Sequence, residues 1–275
     1  MKISVFYDHA LTASGQTGLS IQEVLKQVKA YGIEGVELDF DQASADPEAI
    51  RSTLQEAGLT AACVYGFFDF GEQPQTERAH RFIETAAFLG ADKVLAIPGF
   101  IEESAGAEER SQALQRMSEG LRDMCRYASD RGITVTMEDF DDSRAPFSTS
   151  AELLWFLEQV PELGCTFDTG NFKYRGEDEL SAYEQLKNRI VHVHCKDRSL
   201  DNPEAGAPKI AADGTPLYPS PMGSGCIPIA EIVGKLVKSG YDGVYAIEHF
   251  DASNQLLFMK RSADWLRSVL ETPNA

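Results

Sequence analysis

The chain has 275 residues, 43% apolar and 25% charged, the composition of an ordinary globular protein rather than a disordered or fibrous one. Its 43 acidic residues against 25 basic ones leave a net charge of −18, which repels phosphate backbones and anionic lipid and argues against nucleic-acid or membrane partners. No run approaches the ~20 apolar residues of a membrane span, and the apolar stretch of MKISVFYDHA is too short for a secretory signal, so a cytoplasmic protein is expected.

Eight short runs rich in apolar and β-branched residues predict strands near 2–7, 33–39, 60–65, 93–98, 133–138, 164–168, 189–195 and 243–248. Amphipathic stretches with helix start signals lie between them. Ser20/Glu23, Thr149/Glu152 and Ser181/Glu184 have capping-box spacing, and Asp46-Pro47 reads as an N-cap followed by proline at N1. Gly32, Gly58, Gly90, Gly132 and Gly240 each stand where a helix hands over to a strand. A unit of about 30 residues of helix, glycine and strand is the βαβ signature, and eight such units close a barrel of roughly 250 residues. The expected fold is therefore α/β, a single (β/α)8 TIM barrel of eight parallel strands over 1–275. A doubly wound sheet is the alternative, but S-G-Q-T-G after the first strand lacks the spacing of a nucleotide-binding turn.

The connection from about 198 to 228 is long and rich in proline, glycine and serine, and shows no periodicity of its own. Placed after the seventh strand, it predicts a lid over a barrel mouth. The five cysteines (Cys63, Cys125, Cys165, Cys195 and Cys226) are scattered without a C-x-x-C pair, as expected of reduced thiols in a cytosolic protein. The acidic run Glu102–Glu109 reads as a solvated loop and helix start, and Phe82, Phe88 and Leu89 as core.

Four successive strand-like runs end in metal-type side chains: I-T-V-T-M-Glu138, C-T-F-Asp168, I-V-H-V-His194 and V-Y-A-I-Glu248. Thr134, Thr136 and Glu138 share one strand face, as do His192, His194 and Lys196, and Ala246 and Glu248, while the opposite faces are apolar. A barrel strand packs its apolar face on the helices and turns the other inward, and barrel sites form at C-terminal strand ends. Three carboxylates and an imidazole suit one divalent ion, Mn²⁺ above all, with Mg²⁺, Co²⁺ or Zn²⁺ as alternatives. Burying three carboxylates together without a cation would be costly. Glu37 shares the inward parity at the end of strand two, whereas His249 has outward parity and reads as structural.

M-E-D-F, F-D-T-G-N-F, V-H-V-H-C-K-D, M-G-S-G-C-I and A-I-E-H, in that order, make the whole chain resemble the xylose isomerase-like TIM barrels, and within them the sugar phosphate isomerase/epimerase group. The resemblance implies that Glu138, Asp168, His194 and Glu248 hold the metal. His194 is favoured over His192 because it stands three before Asp197, as the family's ligand histidine does before its acidic residue. Asn171 stands where ketose 3-epimerases have a histidine. The implied activity is a sugar or sugar-phosphate isomerase or epimerase working through a metal-stabilised enediolate, with Glu138 and Glu248 as acid and base. Glu37, Asn171, His192, Lys196 and Arg198 are the expected substrate contacts, Lys196 or Arg198 meeting an anionic group if there is one. Asp197 either orients a ligand or caps the loop. Dehydration of an inosose- or dehydroshikimate-like ketone shares the first step and is the alternative. A nuclease, also represented in the family, is disfavoured by the acidic surface. The expected partner is a small carbohydrate, and a homo-oligomer is compatible with the sequence.

Overall fold

The computed structural model describes residues 2–271. All eight predicted runs are strands: β1 (Lys2–Phe6), β2 (Gly35–Asp39), β3 (Thr60–Phe67), β4 (Lys93–Ile97), β5 (Thr134–Met137), β6 (Gly164–Asp168), β7 (Ile190–Ser199) and, after the short β8 (Lys209–Ile210) and β9 (Pro216–Ser220), β10 (Val244–Glu248). The eight pair in parallel in the order β10-β1-β2-β3-β4-β5-β6-β7, and pairing of β10 with β7 closes the ring. This is a TIM barrel with its helices outside.

The local signals act as their chemistry dictates. Ser20 and Glu23 form a reciprocal capping box at helix Ile21–Ala30, and Asp46 caps the helix that starts at Pro47. Gly32, Gly58, Gly90, Gly132 and Gly240 all have positive φ, the conformation that lets a helix end and the next strand begin. Helix Ile229–Lys238 turns Ile229, Ile232, Val233 and Leu236 into the core, each buried side chain contributing about 1.5–3 kcal/mol. One predicted cap is displaced. The helix Glu179–Leu186 is capped by Asp178, whose side chain accepts from the Ser181 backbone N–H at 2.7 Å, so Ser181 lies inside the first turn. The predicted aromatic stripe also divides: Phe82 is buried, while Phe88 is exposed beneath the Arg51 guanidinium.

The connection after β7 is not a structureless loop. β7 runs on past the barrel rim and pairs antiparallel with β9 through Asp197–Ser220 to Ser199–Tyr218, and β9 pairs in turn with β8. Asp197 accounts for this, because its carboxylate accepts from the Arg198, Gly225 and Ile227 N–H groups at 2.9, 2.9 and 3.3 Å. It ties the two ends of the connection together. Among the described residues, no helix is long and apolar enough to cross a membrane.

The strand parity holds through the barrel wall. Val135, Met137, Val193, Cys195, Tyr245 and Ile247 are buried under the helices. The interior layer is polar: Ser4, Glu37, Thr136, Thr166 and His192 are fully buried, and Thr166 donates to Thr136 at 2.7 Å. A polar barrel floor needs internal partners, and here it supports the site above it.

Candidate metal centre

Register brings the four strand-end residues together. Asp168 lies opposite His194 on the neighbouring strand, and Glu248 lies opposite Lys196, two residues beyond. Glu138 directly follows β5. The buried ligand atoms of Glu138, Asp168, His194 and Glu248 all lie within 4.8 Å of one another. Asp168 is aimed by its own chain: Oδ1 accepts from the Gly170 and Asn171 N–H groups at 2.7 and 2.9 Å, which leaves Oδ2 facing the cluster. Gly170 is required there, because a Cβ would stand 2.7 Å from the Lys196 carbonyl oxygen.

His194 is oriented from below. Its Nε2 donates to Glu37 Oε2 at 3.2 Å, and Nδ1 points up, 2.8 Å from Glu138 Oε2 and 3.2 Å from Glu248 Oε2. Glu37 also accepts from His192 Nε2 at 2.7 Å and from Ser4 Oγ at 3.2 Å. Burial alone would raise the Glu37 carboxyl, but the two imidazoles outweigh it and hold the group well below the usual carboxylate range. A carboxylate behind a histidine is the arrangement that fixes the tautomer and basicity of a metal-binding imidazole. Glu37 and His192 therefore lie beneath the cluster and outside the cavity lining, a place suited to orienting His194 rather than to touching substrate.

Lys196 brings an ammonium into the cluster. Its Nζ lies 3.2 Å from Asp168 Oδ2 and 2.6 Å from Asn171 Oδ1, and it contacts Glu248 Oε1. Burial raises the Glu248 carboxyl, but the Lys196 ammonium and His194 reverse this and hold it low. Asp168 is pushed up to about 7, first by burial and then by Glu248 and Glu138, against the pull of Lys196. Glu138 is raised by burial. His194, which burial would lower, is carried well above its usual value by Glu138 and Glu37.

The cluster fits a divalent cation. Glu138 Oε2, Asp168 Oδ2, Glu248 Oε2 and His194 Nδ1 are buried at ion-pair distances but without a hydrogen bond of proper geometry, although such atoms ordinarily have one. The donors are three oxygens and one nitrogen, a set for a hard or borderline ion. Three carboxylate charges are balanced by a divalent ion and one ammonium, so the filled cluster would be neutral.

Above it opens a cavity of about 340 Å³, within the range of small-ligand sites. Glu138, Glu248, Asn171 and Lys196 form its polar floor, and Phe6, Tyr65, Phe67, Phe140 and Phe250 are among its apolar walls. Arg198 lies at the cavity with its Nη2 2.9 Å from Asp141 Oδ2, and Lys209 Nζ stands 3.5 Å from Asp141 Oδ1. Sequence reasoning missed the aromatic residues, Asp39, Asp141 and Lys209. For several the signal was present: Phe6, Asp39, Phe140 and Phe250 each stand two residues beyond an inward position (Ser4, Glu37, Glu138 and Glu248). Asp141 and Lys209 lie outside the barrel strands, where parity says nothing.

Residues 25–269 match the model of the xylose isomerase-like TIM barrel family. The chain belongs to this family. An uncharacterized protein from Methanocaldococcus jannaschii is 28% identical over 198 residues, which are 70% of this chain and 61% of that protein's length. The inosose dehydratase of Clostridium beijerinckii is 25% identical over 248 residues, 83% of this chain and 82% of the relative. Among solved structures, a D-tagatose 3-epimerase-like protein has a TM-score of 0.75 at 20% identity, covering 98% of this chain and 97% of that one. The IOLI protein with a bound zinc atom has a TM-score of 0.74 at 15% identity, covering 98% of each chain. At these identities the two structures share the fold with this family member.

Proposed function

We propose that the protein is a divalent-metal-dependent isomerase or epimerase of a sugar or closely related polyol ketone. The observation that carries this reading is the convergence of Glu138, Asp168, His194 and Glu248, with ligand atoms within 4.8 Å, at the floor of a cavity of sugar size. These four residues would hold one ion of the Mn²⁺ type. When bound, such an ion polarises a carbonyl oxygen and makes the neighbouring carbon-bound proton easier to remove. Glu138 and Glu248 come from the outer two of the four adjacent strands and approach the cavity from opposite flanks. One accepts the proton and the other returns it, a division of labour that inverts a carbon if the faces differ. Asn171 and Lys196 line the same floor and supply hydrogen bonds to hydroxyls. The segment after β7, tied down by Asp197, covers the mouth as a lid.

A second reading has a specific observation behind it: the similarity of the chain to inosose dehydratases over 83% of its length. The same proton removal followed by loss of a β-hydroxyl gives dehydration. Incubation with Mn²⁺ and a panel of ketoses and inososes in D₂O separates the readings. An isomerase or epimerase returns sugar of unchanged formula carrying deuterium, whereas a lyase loses water and builds an enone absorbance. Absence of Mn²⁺ binding, with no exchange on any ketone, would overturn both.

A further inference from the structure

We propose that Asp141 sets the charge class of the ligand: by occupying the cations at the cavity mouth, it makes the site select an uncharged polyol ketone over a phosphorylated or carboxylated one. The chemistry of the ligand rests on the function proposed above, but the charge selection rests on the ion pairs alone.

The described residues lining the cavity include three cations, Lys196, Arg198 and Lys209, against five carboxylates, Asp39, Glu138, Asp141, Glu248 and Asp251. Each cation already lies against a carboxylate, Arg198 and Lys209 sharing Asp141. Lys196 is held 3.2 Å from Asp168 and against Glu248, Arg198 is 2.9 Å from Asp141, and Lys209 is 3.5 Å from the other Asp141 oxygen. Arginine is the side chain best shaped to read a phosphate or carboxylate, through paired N–H donors. Here Nη2, the nitrogen shared by both bidentate faces of that fork, donates to the protein's own carboxylate, while Nε is buried without a hydrogen bond. The Arg198 and Asp141 side chains are only 10% and 15% exposed, so an incoming anion would have to displace Asp141 and leave a desolvated carboxylate beside it. With the filled metal cluster neutral, Asp39, Asp141 and Asp251 still outnumber Arg198 and Lys209 in the lining, which adds repulsion. The aromatic rings of Phe6, Tyr65, Phe67, Phe140 and Phe250 complete the fit, since they offer apolar faces to the C–H side of a neutral ring.

The triad also draws on three separate parts of the chain. Asp141 follows β5 and Arg198 lies in β7, whereas Lys209 belongs to β8 in the connection after β7. The pairing thus forms only when that segment lies against the barrel.

The test is isothermal titration of the full chain, with Mg²⁺ present, using D-fructose, 2-keto-myo-inositol, D-fructose 6-phosphate and inorganic phosphate as probes. The native protein is expected to bind at least one neutral ketone, and to bind both phosphates about tenfold more weakly or worse. Asp141→Asn and Asp141→Ala, each checked for folding by circular dichroism and melting, should bind inorganic phosphate at least about tenfold more tightly than the native chain. The gain should vanish when Arg198→Gln is added. A native preference for the phosphorylated sugar, or folded Asp141 variants with no gain in phosphate binding, would overturn the proposal. If no ketone binds but the Asp141 variants still gain phosphate, the sugar reading fails while the charge assignment stands.

Discussion

Glu37→Gln is the sharpest probe of how the barrel floor serves the site, because it removes one charge without changing shape. In the native chain the Glu37 carboxylate accepts from His192 at 2.7 Å and from His194 and Ser4 at 3.2 Å each. All three residues are fully buried, so water cannot replace a lost partner. A glutamine offers one acceptor and one donor. At least one imidazole N–H then faces an NH₂ group, and a buried unsatisfied donor costs about 1–3 kcal/mol. The larger effect is on His194, which loses the carboxylate that fixes its tautomer with Nδ1 toward the cluster. Loss of such a partner typically weakens metal binding 10–100-fold, or about 1.4–2.7 kcal/mol. Calorimetric titration with Mn²⁺ at pH 7.5 is the assay, with circular dichroism as the folding control. The apo protein should melt a few degrees lower, on the order of 2–4 °C per kcal/mol for a domain of this size. A folded Glu37→Gln protein with native Mn²⁺ affinity would refute the claim that Glu37 orients a metal-binding histidine.

Two pH dependences follow from the buried groups. Asp168, pushed up to about 7 by burial and neighbouring carboxylates, and His194, carried above its usual value by Glu138 and Glu37, both hold protons that a cation must displace. Mn²⁺ affinity should therefore fall as pH drops through about 7, with protons released on binding; calorimetry in buffers of different ionisation enthalpy measures both, and a pH-independent affinity would contradict the assignment. The stacked pair His9 and His249, with ring centroids 4.5 Å apart, titrates in the opposite sense. Burial, and for His9 also the His249 ring, depress both, His249 to about 4. The unfolded chain thus takes up these protons first, and their contribution to stability is lost as pH falls from about 6.5 toward 4, at up to about 1.4 kcal/mol per pH unit for each ring. Urea melts at pH 7 and pH 5 should show a smaller loss for His249→Gln than for the native protein, and an equal loss would count against the buried neutral pair.

Much of the barrel was legible because its signals are local. The strands of the barrel come from short β-branched runs whose alternation follows from the pleat, and five glycines at helix ends adopt the left-handed conformation for which glycine has no steric penalty. The inward parity of Glu138, His194 and Glu248 is equally local, since side chains on a strand alternate whatever the strand packs against. The same rule carried two residues further would have reached Phe6, Asp39, Phe140 and Phe250 on the cavity wall. The displaced cap at Asp178 was harder to read: Asp178 and Ser181 are both good N-caps three residues apart, and local propensity alone does not rank them.

The sequence by itself determined which strands carry carboxylates and imidazoles, which face they occupy and at which end of the barrel they stand, because these depend on alternation and chain order. Tertiary structure decided how those groups divide their work. Only closure of the ring, with β10 against β7, brings four strand ends within ligand distance of one another. Only the barrel radius places Glu37 under His194, 157 residues away in the chain, and so makes it a buried partner of that imidazole. Likewise the Asp141–Arg198 pair spans 57 residues and joins the connection after β5 to the end of β7. Pairings at such separations are set by side-chain reach across a closed barrel, a distance that no local pattern encodes.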